Sequence, residues 1–81
     1  QKAQAVCQSY YKFLRDNGAT AKQADNKALE GKVVDFYGST EIITSTGPFI
    51  VGIHEADVQS SAESLAIKLV NKLRKSEVVN K

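Results

Sequence analysis

Between residues 32 and 54 the chain departs from helical spacing. Val33, Val34, Phe36 and Tyr37 are β-branched or aromatic, and Ile42 and Ile43 follow after Gly38-Ser39-Thr40. Residues of these types fit a pleated, half-buried surface. Thr46-Gly47-Pro48 marks a turn, since proline has no N–H to give to a ladder. Phe49 to His54 is a nearly continuous apolar run, which suits a central strand covered on both faces. The links are too short for the crossover that a parallel pair needs. Strands near 32–37, 41–45 and 49–54 are therefore expected to form a three-stranded antiparallel meander.

Helical spacing holds on either side. Ala3, Val6, Cys7, Tyr10, Phe13 and Leu14 make one apolar stripe and predict a helix over 3–17, with Gly18 as the left-handed residue after its end. Ala62, Leu65, Ala66, Leu69, Val70 and Leu73 predict a second helix over 60–75. Ser60 and Glu63 have the spacing of a capping box at its start. Residues 76–81 are expected to be a frayed tail.

Residues 19–31 admit two readings. Thr20 and Gln23 fit a capping box opening a short helix that Gly31 ends. Asp25-Asn26 fits a turn between two short extended segments. A loop with some helical or turn structure is the expectation.

The sum is an α+β domain of order αβββα, and two long apolar stripes can be buried by packing both helices on one sheet face. With 81 residues, 42% hydrophobic and 25% charged, the chain has the composition of one ordinary globular domain spanning 1–81. Collagen-like, low-complexity and wholly disordered classes are excluded. Eleven Lys+Arg against nine Asp+Glu leave +2, too weak a field to imply nucleic acid or an acidic membrane. The longest apolar run, Phe49–Ile53, falls far short of the roughly 18 residues of a membrane span. The chain begins at Gln1 and has no methionine, so a processed product or a fragment of a longer protein is expected. Localisation is left open, with a lean towards an exported chain.

Residues able to carry chemistry are few. Cys7 is the single cysteine and His54 the single histidine. A nucleophilic cysteine wants a base and a lowered pKa, but Cys7 lies on an apolar stripe, where free cysteine is ordinarily a small buried hydrophobe. His54 precedes Glu55 and Asp57 without the ligand spacing of a metal site. It is expected at a strand edge, with Asp57 favouring the start of the next helix. The glycines form no phosphate-binding loop. No catalytic, cofactor-binding or metal-ligating residues are predicted, and no enzyme.

Two groups suggest an interaction surface instead. Tyr10 is expected in the core, whereas Tyr11 and one of Phe36 and Tyr37 are expected to point outward, Tyr11 and Tyr37 being the candidate contacts. Lys68, Lys72 and Lys75 lie at i, i+4 and i+7 on one helical face, where they serve either as solvated charges or as phosphate contacts. The expected partner is a protein, through self-association or a free strand edge.

The order helix, three strands, helix is similar to that of the double-stranded RNA-binding domain. Gly47-Pro48 before a strand and Ser60-Ser61-Ala62 opening the last helix resemble that family's turn and final-helix start. The resemblance implies a nucleic-acid-binding module working through Lys68, Lys72, Lys75 and Lys32. Where that family's final helix opens with lysines that grip phosphates, this chain has Ser60, Ser61 and Ser64. Ile50 to Glu55, then Val58-Gln59 and an Ala/Leu helix, also resembles the last strand and helix of profilins, over less than a third of the chain. Neither match names a family, because fold does not fix function. The expectation is a non-catalytic interaction or ligand-binding domain, with duplex RNA binding as the alternative.

Overall fold

The adjacent pairs Val33-Val34 and Ile42-Ile43 decide the layering. Neighbouring residues in a strand point to opposite faces, so each pair sends one side chain to each side of the sheet. All four are buried. Val33 and Ile42 join Leu29, Ile53, Ala62 and Ala66 in one cluster. Val34 and Ile43 join Leu14 and Ala19 in another.

The computed structural model describes residues 2–79. Its order is α1 (Lys2–Asp16), β1 (Thr20–Lys22), β2 (Lys32–Phe36), β3 (Ser39–Thr46), β4 (Phe49–Ala56) and α2 (Gln59–Val79). The strands form one antiparallel sheet in the order β1-β2-β3-β4. The α+β class, the two helices and the antiparallel meander agree with the sequence reading.

Three features differ from it. The sheet has a fourth strand, β1, whose Ala21 pairs with Val34. The helices lie on opposite faces, α1 over the Val34–Ile43 cluster and α2 over the Val33–Ile42 cluster. One face cannot serve both helices, because the paired valines and isoleucines leave apolar side chains on each side. The run Phe49–His54 belongs to an edge strand and not to a central one.

The ends of the elements have local causes. At the end of α1, Ala19 N–H donates to Leu14 C=O at 2.9 Å and Gly18 N–H to Arg15 C=O at 3.3 Å, the Schellman pattern, with Gly18 at φ +105°. Leu14 and Ala19 then share a cluster, the apolar contact that accompanies this motif. The helical reading of 19–31 fails. Residues 23–31 are a loop in which Asn26 Oδ1 accepts Ala28 N–H at 2.9 Å, an Asx turn. At the start of α2, Val58 C=O accepts the N–H of Ala62, so the helix begins before Ser60 and the expected capping box is not formed.

Glu63 does something else. It is 1% exposed, and its carboxylate accepts Asp25 N–H at 2.9 Å, Asn26 N–H at 2.8 Å and the Gln59 amide at 2.7 Å. It thereby fastens the 23–31 loop to α2. The helix continues through Val79, past the expected start of the tail at residue 76, and residues 80 and 81 lie outside the described residues.

Candidate functional site

The two sheet edges are unequal. β1 is three residues long and carries the exposed Lys22; shortness and an edge lysine both discourage further pairing. β4 is eight residues long, with Phe49 and Ile50 40% and 49% exposed. Gly47, at φ +55° ahead of Pro48, reverses the chain from β3 into this strand as a two-residue hairpin loop starting with glycine does. Beside β4, Ile50, Val51 and Gly52 line a shallow groove of about 360 Å³ together with Leu69, Lys72 and Leu73 of α2.

Lys68, Lys72 and Lys75 are exposed and line the adjoining depression with Leu65 and Leu69. The predicted lysine stripe thus stands next to the open strand edge. The sequence reading assigned Leu65 and Leu69 to the core stripe of α2; they are 48% and 36% exposed. Small Ala62 and Ala66 take the buried positions instead.

The two candidate tyrosines lie on the other side of the sheet and do not share a surface with the lysines. Tyr11, expected to point outward, is half-buried against the Leu14 cluster. Arg15 Nη1 donates to its hydroxyl at 3.0 Å, and Lys32 Nζ lies 5.3 Å from its ring centroid. Tyr10, expected in the core, is exposed. The helix buries the narrow stripe of Ala3 and Leu14, with Cys7 and Tyr11 beside it, and turns Val6, Tyr10 and Phe13 away. Tyr37 is exposed as expected.

Glu41 was not singled out in the sequence, yet it organises this side. β3 pairs Ile42 with Ile53 but Thr40 with Ala56, so β4 carries one extra residue there, a β-bulge, with Glu55 at φ +55°. The Glu41 carboxylate fills the gap. One oxygen accepts Glu55 N–H at 2.8 Å and the other lies 2.7 Å from His54 Nδ1. A carboxylate two residues before a core-facing isoleucine is the available signal, because alternation places Glu41 on the same face as buried Ile43.

His54 is half-exposed in β4, folded over Gly52 and edge-on to Tyr10 at 6.1 Å. The expectation that it ends its strand at the turn into the helix is not met: β4 is an edge strand but continues past His54 to Ala56. Tyr10, Phe13, Phe36 and Tyr37 with Glu41, His54, Glu55 and Asp57 line an open groove of about 780 Å³.

Cys7 is elsewhere, its thiol donating to Thr44 C=O at 3.3 Å. Burial pushes the thiol above its ordinary pKa, outweighing the opposing hydrogen bond from Ser45. Among the described residues no group of three His, Cys, Asp or Glu side chains is arranged to hold a metal ion, and no helix is long and apolar enough to cross a membrane.

No protein-family model, curated protein or solved structure matches this chain.

Proposed function

We propose that this protein is a non-catalytic interaction domain that receives an extended segment of a partner protein along β4. One observation carries the reading: an eight-residue edge strand with exposed Phe49 and Ile50 runs beside the groove of Leu69, Lys72 and Leu73. An edge strand offers unpaired N–H and C=O groups, so a partner strand gains main-chain hydrogen bonds while alternate side chains settle in the flanking groove. The bulge at His54-Glu55 interrupts regular pairing, so residues 49–53 form the receiving stretch.

Charge selects the partner. Lys68, Lys72 and Lys75 add positive charge on one flank, which suits a segment alternating apolar and acidic residues. Two copies of this chain meeting edge to edge would instead bring like charges together, and like-charge juxtaposition is costly. Duplex RNA would use the same lysines but gains nothing from exposed isoleucine and leucine. The helix–three strands–helix order behind the RNA resemblance is also replaced here by four strands.

The test is an amide-shift titration with a synthetic peptide of about eight residues alternating Val or Ile with Glu, long enough to span the strand. Saturable shifts confined to residues 49–53 and the facing part of α2 are expected, weakened at least roughly tenfold by Ile50→Lys or Lys72→Glu. Light scattering that shows concentration-dependent dimers, lost with Ile50→Lys, would make the partner a second copy and overturn the reading. So would submicromolar duplex RNA binding that falls steeply with salt, log K against log salt having a slope near −3 for three or four phosphate contacts.

A further inference from the structure

The groove on the α1 side has two aromatic pairs for walls. Tyr10 and Phe13 stack one helical turn apart with centroids 6.2 Å apart, and Phe36 and Tyr37 lie 4.6 Å apart. Phe13 is 56% exposed and Tyr37 79%. A solitary exposed ring is ordinary, but four rings lining one groove mark a binding surface. Tyr37 is held at the mouth, its hydroxyl bonded to Asn17 C=O, so part of the wall is set before any ligand arrives.

Every carboxylate and every basic side chain in the lining can be named. Glu41, Glu55 and Asp57 are acidic, no lysine or arginine takes part, and His54 is the one group able to gain positive charge. The groove is thus locally negative on a chain of net charge +2.

The acid at its floor is engaged at both oxygens, by Glu55 N–H and by His54. Glu55 and Asp57 are exposed in the same lining and add negative field from the groove's rim. Aromatic faces attract cations in the same undirected way, through the ring quadrupole. Ring faces and local negative charge together favour a bulky organic cation that can lie against the aromatic walls.

We propose that this groove binds a small molecule carrying a quaternary ammonium group. The volume of about 780 Å³ falls within the usual size of small-molecule sites.

Choline is the probe, titrated into the full chain at constant ionic strength and followed by amide shifts, with uncharged dimethylbutanol as its carbon isostere and methylguanidinium as a hydrogen-bonding cation. Saturable shifts at Phe13, Tyr37, His54 and Glu55 are expected with choline and not with dimethylbutanol. Phe13→Ala, at an exposed helical position that does not threaten folding, should weaken binding about two- to five-fold. Asp57→Asn should weaken it while leaving the shape unchanged. Three results would overturn the proposal: no groove shifts with choline at tens of millimolar, equal shifts with dimethylbutanol, or tighter binding of methylguanidinium.

Discussion

The hydroxyl of Tyr37 donates to the carbonyl of Asn17 at 2.9 Å, joining the β2–β3 turn to the end of α1. Tyr37 and Gly38 have φ of +53° and +89°, as the two central residues of a type I′ hairpin turn require. Asn or Gly takes the first of these positions without strain, whereas a bulky side chain there is an outlier. The ring is retained because it makes contacts: it lies against Phe36 and beside Gly18.

Tyr37→Phe, which removes only the hydroxyl bond, is expected to cost about 0.5–1 kcal/mol in urea unfolding. Tyr37→Asn should be less destabilising than Tyr37→Ala, since both lose the ring and only alanine keeps the left-handed strain. Equal losses in the two variants would show that the turn is not strained.

Glu63 is the chain's most consequential buried charge. Glu63→Ala leaves the N–H groups of Asp25 and Asn26 without their acceptor; both residues are exposed, so water takes up part of the lost bonding and the full penalty of a buried orphan does not apply to each. A loss of about 1–3 kcal/mol in all is expected by urea unfolding, together with faster amide exchange at Asp25 and Asn26. Unchanged exchange at those two amides would mean that the loop is held by other contacts.

The same carboxylate sets a pH response. Burial alone would raise its pKa, but hydrogen bonds from Asp25, Gln59 and Asn26 outweigh burial and hold it below the ordinary glutamate value. A lowered folded-state pKa stabilises the fold above the unfolded value, and that stabilisation is lost as pH falls through the folded value. The stability gap between the natural chain and Glu63→Gln should therefore be constant from neutral pH down to about 5, begin to narrow near the unfolded value of about 4.3, and go on narrowing as pH falls through the lower folded value. Urea midpoints across that range measure it.

Gly31 tolerates no side chain. A Cβ there would sit 2.7 Å from Thr44 Cβ and 2.9 Å from Ile43 O, and backbone in a sheet interior does not yield easily. Gly31→Ala is expected to cost about 1–3 kcal/mol. Gly38→Ala meets no atom within 4 Å, so its cost comes from its positive φ alone, and thermal unfolding of the two variants separates clash from strain.

Cys7 should be a slow thiol. Its raised pKa leaves little thiolate near neutral pH, so alkylation by iodoacetamide in the folded state is expected to lag far behind that in urea. Rates that match in the two conditions would mean that the thiol is freely accessible.

What was readable in the sequence follows from where each signal resides. Leu14 and Gly18 announce α1 because periodicity and capping are local properties. β1 escapes notice because Thr20, Ala21 and Lys22 are all exposed and carry no alternation; it is a strand only through its partners Val33–Asp35. Tyr10 and Tyr11 exchange roles because α1 buries a stripe narrower than its apolar content. The groove could not be foreseen, since Glu41 reaches His54 only through a bulge that pairing creates. Val33-Val34 did hold a usable clue to the layering, because consecutive buried valines in one strand need cover on both sides.

Those two covers are not equivalent. Only Ala3 and Leu14 are buried among the fifteen residues of α1, whereas the opposite side is fastened by Leu29, Ala62, Ala66 and the Glu63 clamp. The clusters share no member, so native-state amide exchange is expected to show α1 opening at lower free energy than α2 and the sheet, and equal protection of the two helices would show that both are held alike. The sheet thus has a thinly packed cover on one side and a more firmly fastened one on the other. The aromatic groove belongs to the thinly packed side and the β4–α2 groove to the firmer one.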